Sequence, residues 1–185
     1  MTKKAFLIHG WTGTLHDGWL SWLKRRLEEK GFKVTVPAMP DTNHPKIDAW
    51  VNHLAKVVKT PDKGCYFIGH SLGCITILRY LETLKENQTV GGVILVAEFA
   101  DNFGEKELYS FFAKPIEWDK IKSHCKKFVA IHSDNDYHVP LEHADIFKKK
   151  LNAKLIVQRN MKHFSDDDGV VELPVAFDSV LRLSK

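Results

Sequence analysis

The sequence has no apolar segment long enough to cross a membrane. Its longest strongly apolar stretch is Val93–Ala97, whereas a membrane-spanning helix needs about 20 residues. The N-terminus, MTKKAFLIHGW, carries two lysines but too short an apolar run for a secretory signal peptide. We therefore expect no membrane span and a cytoplasmic location.

Cysteine is scarce, and its spacing is not that of a metal site. Cys65, Cys74 and Cys125 are far apart and form no C-x-x-C pair, which argues against a zinc ligand set or a redox pair. The segment 138–143 has one residue too many for an H-x-x-E-H zinc motif, and Asp166–Asp168 lacks the spacing of a calcium loop. We therefore expect no metal and no cofactor.

Neither sign of charge dominates the chain. It has 27 basic and 23 acidic residues and a net charge of +4. Lysines cluster at Lys126–Lys127 and Lys148–Lys150, but without the interleaved aromatic residues of a nucleic-acid surface. We interpret both clusters as solvated helix ends and expect no nucleic-acid partner.

The composition and the hydrophobic pattern are those of a globular α/β domain. The 185 residues, 44% hydrophobic and 27% charged, suit one domain over residues 1–185. Short apolar runs alternate with amphipathic helical patterns, which predicts a three-layer sandwich: a mostly parallel six-stranded sheet with helices on both faces. The predicted strands are Ala5–Ile8, Lys33–Val36, Cys65–Ile68, Val93–Ala97, Phe128–His132 and Leu155–Val157.

One aromatic segment, Phe99–Trp118, interrupts this alternation without a clear period. Because it follows a predicted strand, it is either an irregular connection that covers the sheet edge or a small lid over a pocket. On the second interpretation Phe112 and Trp118 would line a substrate pocket, together with Glu98 at the end of the preceding strand.

The pentapeptide Gly69-His70-Ser71-Leu72-Gly73 carries the clearest chemical signal. It lies directly after a predicted strand and directly before a predicted helix, the context that a G-x-S-x-G nucleophile elbow requires. Glycines at both ends permit a turn so tight that larger side chains would clash. The pattern therefore predicts that Ser71 is a nucleophile whose hydroxyl stands above the sheet, at the start of a helix.

A serine nucleophile needs a general base, and in this architecture an acid and then a histidine follow it in the chain. His163 suits the base because it follows the last predicted strand, whereas His143 falls within a predicted helix and His138 is too close to the acid candidates. For the acid, Asp134 and Asp136 both follow the preceding strand. Glu98, after an earlier strand, is a third candidate.

An oxyanion hole needs two hydrogen-bond donors. One should be the backbone N–H of Leu72, and the other should come from the loop after the first strand, where we choose Trp11. The acidic run Asp166–Asp168 is expected to cap the last helix, since negative charge favours a helix N-terminus.

Together, these residues resemble the α/β-hydrolase superfamily. More narrowly, they resemble the small serine hydrolases typified by retinoblastoma-binding protein 9 and the bacterial YdeN-type proteins. The resemblance covers nearly the whole chain. The segments that carry it are HDGWLSWLKRRLEEKGFKVTVPAMPD, FIGHSLGCITILRYLET, FFAKPIEWDKIKSHC and HSDNDYHVP followed by KHF.

The resemblance implies roles for particular residues. The family's nucleophile falls on Ser71, its acid on Asp136, four residues before Pro140, and its base on His163, which lies in KHF where many relatives have GHF. It also implies a compact fold without a large cap, and hence a shallow site. Glu98 departs from the family, since relatives often carry a small or neutral residue there.

These observations predict a serine hydrolase that cleaves small carboxyl esters or related acyl compounds through an acyl-enzyme. Two alternatives stay open. The same triad could serve a peptidase or a thioesterase, or the chain could be a protein-binding module with a little-used site. A protein partner is suggested only by the family's name.

Overall fold

A parallel six-stranded sheet forms the centre of the structure, a computed structural model that describes residues 2–16 and 18–185. The strand order is β2-β1-β3-β4-β5-β6, and every neighbouring pair is parallel. The strands are β1 (Lys4–Ile8), β2 (Lys33–Thr35), β3 (Cys65–His70), β4 (Gly92–Val96), β5 (Phe128–Ser133) and β6 (Lys154–Gln158). The predicted fold class is confirmed, and each predicted strand overlaps an observed one.

In the described part of the chain, seven helices cover the two faces of this sheet. They are α1 (Gly18–Glu28), α2 (Ile47–Val58), α3 (Leu72–Leu81), α4 (Tyr109–Phe112), α5 (Trp118–His124), α6 (Glu142–Leu151) and α7 (Pro174–Leu183), with a 3-10 turn at Lys106–Leu108. One core lies between the sheet and α2–α6, and the other lies between the sheet and α1 with α7. The inner strands β3 and β4 carry no charged acid or base other than His70 at the end of β3, because both of their faces are buried.

The topology places a crevice at the carboxyl end of β1 and β3. From β1 the chain crosses to β2 on one side, then returns to add β3 on the other side. The loops after β1 and β3 therefore diverge, and such switch points are where open α/β sheets bind ligands. No helix among residues 2–16 and 18–185 is long and apolar enough to cross a membrane.

The aromatic segment that interrupts the pattern is held against α3 by a buried ion pair. Arg79 and Glu82 form a salt bridge of 3.0 Å, with side chains only 9% and 12% exposed. Arg79 also donates to the carbonyl oxygens of Phe111, Lys114 and Pro115. The part of the segment from α4 to α5 is therefore anchored to the core.

Replacing Arg79 by Met should lower the free energy of unfolding by about 3–5 kcal/mol, because it leaves the largely buried Glu82 carboxylate and three carbonyl oxygens without their donor. Urea unfolding followed by tryptophan fluorescence measures the change. The control is Lys24→Met, which breaks the exposed Lys24–Glu28 pair and should cost about 0.5 kcal/mol or less. Equal losses in the two variants would contradict this account of the segment.

Candidate active site

The turn from β3 into α3 holds Ser71 in a strained conformation. Its backbone has φ 50° and ψ −117°, a combination that few non-glycine residues adopt and that costs about 1–3 kcal/mol. The turn is closed by its glycines: a Cβ on Gly73 would run into the carbonyl oxygen of Ile8, and one on Gly69 would lie 2.8 Å from the backbone nitrogen of Cys74. The predicted nucleophile elbow therefore has the local geometry that the sequence pattern indicates.

The three residues predicted to form a triad are connected by hydrogen bonds. The His163 Nε2 lies 3.0 Å from the Ser71 Oγ, and the His163 Nδ1 lies 2.9 Å and 3.1 Å from the two carboxylate oxygens of Asp136. The Asp136 side chain is fully buried. An imidazole oriented in this way can accept the hydroxyl proton of Ser71 at Nε2.

The environment of Asp136 keeps its carboxyl ionised. Burial raises its pKa, but the hydrogen bonds from His163 and from the backbone N–H groups of Val139 and His138 outweigh burial, so the net pKa lies below the ordinary value. An ionised Asp136 accepts the Nδ1 proton of His163, which leaves Nε2 free to accept from Ser71.

The other acid candidates have different contacts. The Asp134 carboxylate accepts the backbone N–H of Asn160 at 2.8 Å. Glu98 is fully buried and faces the Nδ1 of His132 at 3.8 Å. Burial raises the pKa of Glu98. Of the three candidates, Asp136 is the one whose carboxylate hydrogen-bonds the His163 imidazole.

The loop that carries His163 is held by the turn that carries Asp136. The Asp134 contact with Asn160 is one of three such bonds. The Ser133 Oγ accepts the N–H of Met161 at 3.0 Å, and the Asn135 Oδ1 accepts the N–H of Lys162 at 2.9 Å. Sequence reasoning missed these roles, although the run of short polar side chains at 133–136 was a visible signal of a turn rich in side-chain acceptors.

Two further side chains, also missed from the sequence, hold the backbone of His163 itself. The N–H of His163 donates to the Oδ2 of Asp168 at 3.0 Å. The Nε2 of His70 donates to the carbonyl oxygen of His163 at 2.8 Å. Because His70 precedes Ser71 in the chain, this hydrogen bond connects the elbow to the loop that carries His163, residues 159–165, which we call the base loop.

The expectation that Asp166–Asp168 caps the last helix is wrong. Helix α7 begins after Leu173 without a side-chain cap. Asp166 instead accepts the N–H of Gly18 at 2.9 Å, at the start of α1. Asp168 binds the base loop because the chain folds back on itself between Ser165 and Asp168.

The two residues predicted to supply the oxyanion donors follow β3 and β1, which are neighbouring parallel strands. Leu72 is the first residue of α3, where a backbone N–H has no carbonyl of a preceding helical turn to bind. Trp11 lies in the loop after β1, next to Gly10. The backbone of Gly10 approaches Ser71 so closely that a Cβ on Gly10 would lie 3.2 Å from the Ser71 Cβ.

A cleft of about 660 Å³ opens beside Ser71. Its lining combines apolar side chains with carboxylates, a tyrosine and histidines. The apolar lining residues are Trp11, Trp19, Leu20, Leu72, Phe99, Phe103, Leu108, Val139 and Phe164, and the ionisable ones are His70, Glu105, Tyr137, His138, His163, Asp166 and Asp167.

The residues predicted to line the pocket do not line this cleft. Glu98 is turned into the protein towards His132. Phe112 packs behind Phe99, with ring centres 5.7 Å apart. Trp118 begins α5 and packs edge-on against Phe147 in the core. The aromatic segment Phe99–Trp118 instead contributes Phe99, Phe103 and Leu108, from its first part, to the lining of the cleft.

The chain matches the serine hydrolase family over residues 5–182. It is 31% identical to the YdeN protein of Bacillus subtilis (strain 168) over 179 residues, which cover 96% of this chain and 94% of that protein. The chain belongs to the serine hydrolase family. A second member, the serine hydrolase RBBP9 of Rattus norvegicus, is 28% identical over 170 residues, 89% of each chain.

Solved structures show the same fold. The crystal structure of the ydeN gene product from B. subtilis superposes with a TM-score of 0.94 and 31% identity, covering 98% of both chains. Est1E from Butyrivibrio proteoclasticus superposes with a TM-score of 0.76 at 17% identity, over 98% of this chain and 88% of that one. This serine hydrolase therefore has the compact α/β-hydrolase fold, and its family membership supports a hydrolase function.

Asp136→Asn should lower kcat by about 10³–10⁴-fold with little change in KM, because the amide cannot hold the required tautomer of His163. Asp134→Asn should cost about tenfold or less, since an amide oxygen still accepts the Asn160 N–H. Steady-state hydrolysis of p-nitrophenyl acetate compares the two. A larger loss of kcat in the Asp134 variant than in the Asp136 variant would show that Asp136 is not the catalytic acid.

Proposed function

We propose that this serine hydrolase cleaves small carboxyl esters or related acyl compounds through an acyl-enzyme on Ser71. The observation that carries the proposal is the uninterrupted line of hydrogen bonds from the buried Asp136 through His163 to the Ser71 hydroxyl, at the edge of an open cleft. A binding surface would have no use for this alignment of carboxylate, imidazole and hydroxyl.

The first half of the reaction forms the acyl-enzyme. The Ser71 Oγ attacks the acyl carbon while the His163 Nε2 takes the hydroxyl proton, and the negative charge moves to the former carbonyl oxygen. The N–H groups of Leu72 and Trp11 stabilise this oxygen. Losing one such donor typically raises the barrier by about 3–4 kcal/mol. His163 then gives its proton to the leaving oxygen, and the bond to the leaving group breaks.

The second half releases the acid. Water takes the place of the leaving group, and the His163 Nε2 removes a proton from it as its oxygen attacks the acyl carbon. The tetrahedral species collapses by breaking the bond to Ser71, whose oxygen recovers the proton from His163. In both halves the ionised Asp136 stabilises the imidazolium.

The cleft lining favours substrates without negative charge. Phe99, Phe103 and Leu108 offer an apolar surface for an acyl chain. Glu105, Asp166 and Asp167 add carboxylates, and none of the described lining residues is a lysine or an arginine. An anionic acyl group would therefore meet repulsion and no ion-pair partner.

A fluorophosphonate probe tests the proposed nucleophile. It should label wild-type protein at Ser71, and labelling and p-nitrophenyl acetate hydrolysis should both disappear in Ser71→Ala and fall by about 10³-fold or more in His163→Ala. Ser123→Ala, an exposed serine on α5, is the matched control. Hydrolysis that survives in Ser71→Ala would refute the proposal.

Substrate charge gives a second test. The kcat/KM for a p-nitrophenyl ester of a monoanionic acyl group should be about tenfold or more below that of a neutral ester of equal length, and added salt should narrow the gap because it screens exposed charges. The double variant Glu105→Gln/Asp167→Asn should narrow it as well. Equal rates at low salt would show that these carboxylates do not shape specificity.

A further inference from the structure

The loop that carries His163 contains several residues in a backbone conformation that favours glycine. Asn160, Lys162 and Phe164 all have positive φ, at 57°, 47° and 57°, and none of them is a glycine. Asparagine tolerates this region, but Lys162 and Phe164 are each destabilised by about 1–2 kcal/mol relative to the right-handed region. The loop therefore depends on the side chains that bind its peptide groups.

Among these side chains, Asp168 has the most contacts with the base loop. Its Oδ2 accepts the N–H of His163 at 3.0 Å, the N–H of Ser165 at 3.2 Å and the hydroxyl of Ser165 at 2.8 Å. The ammonium group of Lys162 lies 3.7 Å from its Oδ1. The carboxylate, with a side chain only 4% exposed, thus binds the peptide group of the base directly.

Asp168 also connects the base loop to the turn that carries Asp136, residues 133–139, which we call the acid turn. The Tyr137 hydroxyl donates to the Asp168 Oδ1 at 3.2 Å, and Tyr137 follows Asp136 in the chain. One carboxylate therefore touches both the residue that carries the base and the turn that carries the acid. A change at Asp168 would move the imidazole relative to Asp136 and Ser71 together.

We propose that Asp168 is a positioning residue for catalysis: its carboxylate fixes the peptide of His163, and through Tyr137 the acid turn, so that the imidazole stays between Asp136 and Ser71. The proposal rests on the hydrolase function proposed above. Asp168 makes no contact with a reacting atom. It acts through the backbone of the base, and His70 holds the opposite end of the same residue at its carbonyl oxygen.

The carboxylate is ionised over the range in which a hydrolase of this kind works. Burial raises the pKa of Asp168, but the hydrogen bonds from Ser165, from the His163 N–H and from Tyr137 outweigh it and bring the net pKa below the ordinary value. The stabilisation is therefore fully present above the unfolded pKa of about 4, and it is lost as the pH falls through the lowered folded value.

The test compares Asp168→Asn and Asp168→Ala with wild type, using p-nitrophenyl acetate turnover per site titrated by fluorophosphonate. We expect kcat to fall about 5–10-fold in Asp168→Asn and about 30–100-fold in Asp168→Ala, with KM changed by about threefold or less, since small displacements of a catalytic group act on kcat. Asp178→Asn, an exposed carboxylate on α7, is the matched control and should match wild type.

A second readout separates positioning from folding. The downfield proton NMR signal of the His163 Nδ1–H should shift or broaden in both Asp168 variants, while far-UV circular dichroism stays that of wild type. The difference in unfolding free energy between wild type and Asp168→Asn should shrink as the pH is lowered through the Asp168 titration. If Asp168→Ala does not fold, the same kcat and NMR measurements are made on Asp168→Asn and Tyr137→Phe. Each of these variants weakens a hydrogen bond of Asp168 and preserves the shape of the site.

The outcomes distinguish this inference from the proposed function. If Ser71→Ala and His163→Ala are inactive while both Asp168 variants keep the wild-type kcat per titrated site and an unchanged His163 signal, Asp168 is structural and the inference is wrong. If Ser71→Ala still hydrolyses the ester, the proposed function fails and the inference fails with it.

Discussion

The site depends on one imidazole that must contact two groups at once. The His163 ring lies between a fully buried carboxylate and a serine hydroxyl, at 2.9 Å and 3.0 Å. Neither contact tolerates a large displacement, because the strength of a hydrogen bond falls steeply with distance and angle. Much of the structure around it, from the strained elbow to the network of turn side chains, holds three residues that are 27 to 92 positions apart in the chain.

Both the elbow and the loop that carries His163 contain residues with an unfavourable backbone conformation. Ser71 and three residues of the base loop all have positive φ. Lys162, with φ 47°, adopts a conformation that suits glycine better. The hydrogen bonds of Ser133, Asp134, Asn135 and Asp168 to consecutive peptide groups offset that cost. The strain therefore lies in the loop that carries His163, and most of the side chains that offset it lie in the neighbouring turn that carries Asp136.

The sequence predicts the scaffold, Ser71 and His163 because each of them leaves a signal in the order and pattern of the residues. Buried strands appear as continuous apolar runs, and the elbow has glycines at both of its crowded ends. The order of Ser71, Asp136 and His163 follows from the order of the strands that carry them. The choice between Asp134 and Asp136 was left open by the residues alone, since both follow the same strand and only the turn decides which one faces the imidazole.

The pocket could not be predicted in this way. Glu98 follows a strand at the right edge of the sheet, yet its side chain turns inward to His132, and nothing in its sequence neighbours indicates that direction. Phe112 and Trp118 belong to a segment whose path is determined by distant contacts with Arg79. The role of Asp168 could not be predicted either. Its carboxylate accepts backbone N–H groups, and only the folded loop determines which N–H groups these are.

The most direct measurement is the mass of the intermediate itself. Protein mixed with a slowly hydrolysed ester and quenched within its first turnover should gain the mass of one acyl group, located by peptide mapping on Ser71. Removing the imidazole of His163 should greatly slow its appearance. An acyl group on another residue, or ester turnover with no covalent species at Ser71, would contradict the account.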